Sequence, residues 1–297
     1  MALSIYNIKR WIKMLTGKSI YHVDQGLGRC IDIGGYYNDL TQKVILGDNN
    51  LDKNGIPFLE LENGNRVHMP TMIFQYGIGA FDLWLENKEE RYIKKAVVCA
   101  QWAVDHQKEN GSWDNFSYIY PENPYSAMAQ GEGASLLLRV YTQEKNNQFL
   151  IAAKKAVDYM LTSSQENGVT LYDDKNVYLL EYRHLPVVLN GWIFALWGLV
   201  DICKYYPEYE RYLNASIETL CHNIQNFDNG YWSLYNSEGL ICSPFYHRLQ
   251  IAQMKAMYII TGVNIFDEYA QRWEEYSNSI VKKSRAFLVK AIQKIVE

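Results

Sequence analysis

Glu181, Tyr182, Arg183 and His184 stand side by side just ahead of an apolar stretch that runs from Val187 to Val200. Four ionisable groups at the lip of a buried segment form a candidate site. A second cluster lies between Tyr231 and Gln253 and holds Tyr235, Tyr246, His247, Arg248, Gln250 and Gln253. Gln75 and Tyr76 precede two glycines, Gln130 and Glu132 lie among small residues, and Asn190 interrupts the apolar stretch. Tyrosines, one well-placed carboxylate and neighbouring Arg and His suit proton transfer at a carbon next to a carboxylate. A tyrosine has an ordinary pKa near 10. It serves as an acid, or as a base where a cation lowers that value. Arg183, His184, His247 and Arg248 would neutralise the substrate carboxylate and make the adjacent C–H more acidic. The plain alternatives are solvated loops and helix caps. No Gly-x-Ser-x-Gly, phosphate loop or pair of metal histidines occurs. A lone carboxylate speaks against a glycosidase, which ordinarily needs two.

The elements that would position these groups are helical. From Pro70 the apolar residues recur with helical period, and the spacing predicts helices over about 71–85, 88–107, 127–142, 147–163, 187–204, 208–226, 246–261 and 265–295. The stretch from Val187 is apolar on nearly every side, as in a helix buried all round, and Pro186 is placed to open it. One connection repeats: Asn110-Gly111 with Trp113, Asn167-Gly168 with Tyr172, and Asn229-Gly230 with Trp232. Asn-Gly favours a turn with positive φ, and the aromatic after it is placed to plug the end of a hairpin. A helical hairpin repeating at this period points to a mainly α fold, an α/α toroid with its cleft at the inner-helix ends. Residues 20 to 69 are instead rich in Gly and Asn turn signals, with short strand-like pieces at Lys43 to Leu46 and Phe58 to Leu61. The division expected is an N-terminal extension over 1–69, partly β, and a toroid over 70–297.

Composition bounds the function. The chain of 297 residues is 48% apolar and 14% aromatic, enough for a large core. A net charge of −4 argues against general nucleic-acid binding. The 24 tyrosines and 8 tryptophans suit a core and equally a sugar-stacking cleft. Five cysteines, with no CxxC, read as free thiols of a reducing compartment. No His/Cys cluster has zinc spacing, so no site metal is expected. No signal-peptide pattern opens the chain. Ile5, Ile8, Trp11, Ile12 and Leu15 share one helical face, ringed by Lys9, Arg10, Lys13 and Lys18. Peripheral membrane association through residues 5–18 and a homodimer are left open. The expected location is the cytoplasm of a bacterial-type cell, at or near the inner membrane face.

Taken together the motifs resemble the C-terminal catalytic region of the D-glucuronyl C5-epimerases, which convert glucuronate to iduronate residues in heparosan-type chains. The matching pieces are Gln75-Tyr-Gly, Met128-Ala-Gln-Gly-Glu-Gly-Ala-Ser, Arg139-Val-Tyr141, Leu180-Glu-Tyr182, Val188-Leu-Asn-Gly191, Tyr231 to Tyr235 and Tyr246-His247. They span roughly residues 70 to 280 in the family's order. The resemblance implies an α/α toroid, no cofactor, and an anionic uronate polysaccharide as partner. It places the family's catalytic Glu-Tyr pair on Glu181 and Tyr182, and its two later tyrosines on Tyr235 and Tyr246. Tyr182 and Tyr246 then act as acid and base on opposite faces, with Glu181 as a third proton-transfer group and Tyr235 as helper. Gln75, Tyr76, Gln130, Glu132, Arg183, His184, Asn190, His247 and Arg248 are the expected substrate-binding set. The chain departs from the family pattern at Ser237 and Glu238, where an arginine is expected, and at Gln250, in place of a second histidine. A uronate lyase on the same toroid and a non-catalytic glycan-binding module are the alternative readings.

Overall fold

A computed structural model describes residues 23–47 and 50–296. The amphipathic helix expected within residues 5–18 lies outside the described residues. Among the described residues, ten α-helices and two small antiparallel hairpins make up most of the regular structure, so the protein is mainly α. In chain order these are α1 (Thr41–Ile45), β1 (Leu59–Glu60), β2 (Arg66–Val67), α2 (Pro70–Asn87), α3 (Glu90–His106), α4 (Ala127–Glu144), α5 (Asn147–Met160), β3 (Thr170–Asp173), β4 (Asn176–Leu179), α6 (Leu189–Ile202), α7 (Glu210–Asn223), α8 (Pro244–Thr261), α9 (Asn264–Asn278) and α10 (Ile280–Val296).

The eight longest elements before α10 form four hairpins, and their burial separates them into two rows. α4 is buried at every position from Ala127 to Val140, and α6 along its whole length. α3, α5, α7 and α9 bury one stripe each, with charges on the other side. Helices apolar all round belong inside, and amphipathic ones belong at the solvent boundary. Contacts follow that division. α2 packs on α4, α4 on α6 and α6 on α8, while each outer helix backs its own hairpin partner. These contacts run in chain order from α2 to α8. They establish stacked helical hairpins; the closed ring expected from the repeat goes beyond them.

The closest approach in the inner row is made by glycines. A Cβ on Gly198 would stand 2.4 Å from the Gly131 Cα, and one on Gly131 would stand 2.6 Å from the Ala195 Cα. Nearby lies a fully buried ion pair, Arg139 of α4 with Asp201 of α6. Asp201 also accepts a hydrogen bond from the Tyr37 hydroxyl at 2.7 Å, and the Arg139 guanidinium lies 4.9 Å from the Tyr36 ring centroid. The N-terminal segment thereby shares the helical core, to which Tyr36, Tyr37, Leu40, Val44 and Ile56 all contribute.

Several expectations need correction. Lys43 to Leu46 was expected as strand, but Thr41–Ile45 is a helix, because Leu40 and Val44, four residues apart, seat together on Gly79 of α2. Pro186 does not open α6. Val188 is extended and pairs with Asn236, which delays the helix to Leu189. The long helix expected over 265–295 breaks at Ser279, which is extended and accepts from the Lys282 amide at 3.4 Å. The repeated turns hold. Gly111 and Gly230 have φ of +90° and +84°, but in the middle instance it is Asn167 that takes the left-handed conformation. Trp113 and Trp232 are buried as plugs, whereas Tyr172 is 37% exposed. All five cysteines are free thiols. No helix among the described residues is long and apolar enough to cross a membrane.

A methyl group at position 198 has no room between two backbones. Gly198→Ala is expected to cost at least about 1–3 kcal/mol, the scale of overpacking. Gly34→Ala, whose Cβ would meet nothing closer than 3.6 Å, is expected to stay within about 0.5 kcal/mol. Urea denaturation of the two variants measures the difference.

Candidate active site

Glu181 is delivered by the β3–β4 hairpin. The Leu180 amide donates to the Val169 carbonyl at 2.8 Å, and the Leu180 carbonyl accepts from the Ala127 amide at 2.9 Å. The chain leaving β4 is thus tied to the first residue of α4, and Glu181 turns inward against the start of α6. Gly191 makes that possible, since a Cβ there would fall 2.3 Å from the Glu181 Oε2. Glu181 is 6% exposed, and Oε2 has no hydrogen-bond partner. Burial pushes its carboxyl up to about 7, against a smaller opposing pull from the Tyr182 hydroxyl. Tyr182 stacks on Phe116 with ring centroids 4.5 Å apart and meets Tyr120 edge-on at 5.9 Å.

Tyr235 and Tyr246 arrive from the other direction. Residues 187–189 and 235–237 pair as an isolated bridge: the Leu189 amide donates to the Tyr235 carbonyl at 3.2 Å and the Ser237 amide to the Val187 carbonyl at 3.0 Å. The pairing that delays α6 therefore holds Tyr235 at the same helix end that receives Glu181. Tyr246 lies in the first turn of α8, whose Ser243 N-cap side chain accepts from the Tyr246 amide. The two rings meet edge to face at 4.9 Å. Burial, then the charges of Glu181 and its neighbours, push the Tyr182 and Tyr235 hydroxyls well above the usual phenol range, and Tyr246 contributes to both shifts. The four groups inferred from sequence as catalytic therefore form one electrostatic cluster. The two tyrosines with raised values are neutral proton donors at ordinary pH, and Glu181 is the group poised near neutrality.

Behind the cluster lies a polar layer that hydrophobic packing does not explain. Gln130, Glu132, Asn190 and Gln253 are all buried. Gln75 donates to the Glu132 Oε1 at 2.7 Å, and Gln253 to the Asn190 backbone carbonyl at 3.1 Å. Glu132 Oε2, both Gln130 amide atoms, Asn190 Oδ1 and Gln253 Oε1 have no hydrogen-bond partner in the protein. Buried polar atoms of native proteins are ordinarily satisfied by protein or by water. Four of these five unpartnered atoms are oxygens, so the layer offers mainly acceptors. Sequence reasoning missed two contributors to this region. Lys43 of α1 is coupled to Glu132 and is lowered to about 8 by its own burial. Tyr36 is raised by burial and then by Glu132. Gly79, one helical turn after Gln75 and in contact with Leu40 and Val44, is the signal that marks where α1 docks.

The expected cations stand elsewhere. Arg183 donates to Asn123 Oδ1 and Asn167 Oδ1 and lines an outer groove of about 640 Å³ with Tyr125 and Tyr159. His184 is exposed against Tyr120. Arg248 is exposed and faces Asp24. Tyr76 turns away to α3, where its hydroxyl accepts from Lys95 at 2.8 Å. His247 is fully buried, stacked on Trp232 at 3.6 Å. Its Nδ1 accepts from the Ser233 amide, so Nε2 carries the proton and donates to the Trp273 carbonyl at 3.1 Å. That imidazole anchors α8 to the segment around Ser233 and to α9, and it has no free nitrogen for a substrate. Gln250 likewise braces the segment before α8, donating to the Leu234 carbonyl at 3.1 Å.

The family model described as D-glucuronyl C5-epimerase C-terminus matches residues 88–275, and the chain belongs to that family. C5-epimerisation, an isomerase reaction, is the activity that goes with it at the family level. A D-glucuronyl C5-epimerase of Caenorhabditis elegans is 23% identical over 224 residues, which cover 65% of this chain and 36% of that protein. An uncharacterised protein of Methanocaldococcus jannaschii is 26% identical over 219 residues, 64% of this chain and 69% of its own. The chain thus spans little more than a third of the length of the C. elegans relative. All four clustered groups, with Gln130, Glu132 and Asn190, fall inside the matched region.

Burial lowers the His247 imidazole from 6.5 to about 3. The unfolded chain therefore takes up a proton below about 6.5 that the folded protein refuses. Stability is expected to fall as pH drops from about 6.5 toward 3. Denaturation across that range checks it, with His247→Phe as the variant expected to flatten this part of the slope.

Proposed function

We propose that the protein is a polysaccharide uronyl C5-epimerase that converts D-glucuronate to L-iduronate residues in a heparosan-like chain. The observation that carries this reading is the convergence of Glu181 and Tyr182 with Tyr235 and Tyr246, from three separate elements, at one helix end. In the reaction the C5–H bond breaks and its proton passes to a base. The electron pair moves into the adjoining carboxylate, and an acid on the opposite face protonates C5. A base is most effective when its pKa lies near the working pH. Glu181, near 7, fits that role better than a tyrosine held neutral by burial. Tyr246 is assigned as the acid on the opposite face, Tyr182 orients Glu181, and Tyr235 supports Tyr246. The unpartnered acceptors of Gln253 and Asn190 suit the hydroxyls of the sugar. The partner is an anionic uronate polymer, and no step calls for a cofactor.

Incubating heparosan with the protein in D₂O and following the C5 proton by NMR tests the reading. Deuterium at C5 and new iduronate signals are expected. Folded protein that incorporates none overturns it, and ultraviolet absorbance from an unsaturated uronate identifies a lyase instead. Glu181→Gln and Tyr246→Phe are each expected to lower the rate by about 10²–10⁴, the scale of general acid–base catalysis. Because Phe keeps the ring, KM moves little compared with kcat. With Glu181 as the base, activity is lost as pH falls through about 7.

A further inference from the structure

The three residues that follow Glu181 all pack on one loop, and the reaction as described gives that loop no part. Tyr182 lies nearly parallel to Phe116, with ring centroids 4.5 Å apart and planes inclined by 21°. Tyr120 meets the same Tyr182 ring edge-on at 5.9 Å and 82°, and it meets His184 at 4.6 Å. Arg183 reaches out to Asn123: its Nε and Nη2 donate to the one Oδ1 at 3.1 and 3.0 Å, and Nη2 donates to the Glu122 carbonyl at 3.4 Å. We propose that Phe116 is a positioning residue that fixes the Tyr182 ring, and that Arg183 acts through it by clasping the loop 115–124 on which Phe116 is carried. This role rests on the reading of Glu181 and Tyr182 as part of the epimerase site.

The loop is built to hold a ring still. At its base the Asn115 Oδ1 accepts from the Thr71 amide, in the first turn of α2, at 3.0 Å. The Asn115 and Phe116 amides both donate to the Pro124 carbonyl at 2.9 Å, which closes the loop on itself. Along it the Tyr118 hydroxyl donates to the Met69 sulfur at 3.3 Å, and the Phe116 ring is buried. Its far end meets Arg183. The Nη1 of that guanidinium also donates to the Asn167 Oδ1 at 3.0 Å, so one side chain spans the loop and the turn before β3. A planar fork with donors in fixed directions suits that task better than a point charge. Tyr182 stands between β4 and α6, outside regular structure and half-buried. A phenol on such a segment swings about its two side-chain torsions unless its ring is caught. Offset-parallel and edge-to-face contacts are the favoured aromatic arrangements. The first restrains tilt and the second restrains sliding, and the loop supplies both. Placement of this kind carries weight, because a 1 Å shift of a reacting group costs about 10²-fold in rate. Arg183 and His184, expected to meet the substrate carboxylate, are thus loop contacts. The run from Glu181 to His184 is a Glu-Tyr pair followed by its clasp.

Hydroxyl-radical footprinting of the full chain reads the ring without substrate. Oxidation of Tyr182 is expected to rise several-fold in Phe116→Leu, which removes the stacked ring, and in Arg183→Gln, which releases the loop. In Arg183→Gln the Phe116 ring is still present, so a rise there reports movement. Phe116→Tyr keeps the ring and is expected to match wild type. Unchanged oxidation in Phe116→Leu overturns the role of Phe116, and unchanged oxidation in Arg183→Gln overturns the clasp. Circular dichroism confirms that the variants are folded. If Phe116→Leu is not, Arg183→Gln carries the test, since its side chain is only half-buried. In the C5 exchange assay, Phe116→Leu and Arg183→Gln should each lower kcat by about 10–10²-fold with KM little changed, and Phe116→Tyr should restore it. A raised KM at unchanged kcat gives these side chains to substrate binding instead and overturns the positioning role. Wild type that exchanges no proton sinks the functional reading alone. The footprint needs no activity, so the two failures are distinguishable.

Discussion

The contact between Gly131 and Gly198 governs the rest of the architecture. It lets the backbones of α4 and α6 touch where side chains would hold them apart, and the Arg139–Asp201 pair locks the same two helices with a charge interaction that water does not reach. Removing one member of such a pair leaves the other charge stranded in a low-dielectric interior, so both helices must carry their partner for either to be tolerated. With α4 and α6 fixed at this distance, both helices bury polar residues in their first turns. Glu132 comes from the first helix and Asn190 from the second, and Glu181 packs against Gly191 at the start of the second.

That enclosure sets the chemistry. Low dielectric raises both carboxyls and the Tyr182 and Tyr235 phenols together, and it separates their roles by degree. Burial holds the two phenols neutral and favours the protonated form of both carboxyls, with Glu181 nearest to neutral pH. The same burial keeps His247 neutral and turns it into a structural pin between Trp232 and Trp273. One physical cause, loss of water around ionisable groups, thus raises the carboxyls and phenols and lowers the imidazole.

Much of this was legible in the sequence where local pattern decides the outcome. The helices from Pro70 follow from periodicity, the hairpin ends from Asn-Gly and the aromatic after it, and the two tyrosine-bearing clusters from residue type. What escaped was decided by partners far along the chain. Arg183 is drawn outward by Asn123 and Asn167, and His247 inward by Ser233 and Trp273. Neither direction can be read from spacing. The β3–β4 hairpin was hidden because each strand is only four residues long. The start of α6 was misjudged at Pro186 because the competing pairing with Asn236 comes from a later segment. Lys43 was overlooked because five helical residues in a glycine-rich stretch resemble a short strand until Gly79 is seen as their seat.

The docking of α1 on α2 carries a further consequence. A row of stacked hairpins has two ends, and an end helix with no neighbour shows an apolar flank to water. Repeat proteins meet this with a terminal unit unlike the others. The segment around Tyr36 to Val44 does that for α2, the first inner helix, with Leu40 and Val44 pressed onto Gly79. The residue that brings charge to Glu132 is carried on the same short helix. Sealing the end of the stack and supplying that ammonium group are therefore one event. A hairpin array trimmed back to Pro70 would lose its cover and the electrostatic balance of its interior in a single cut.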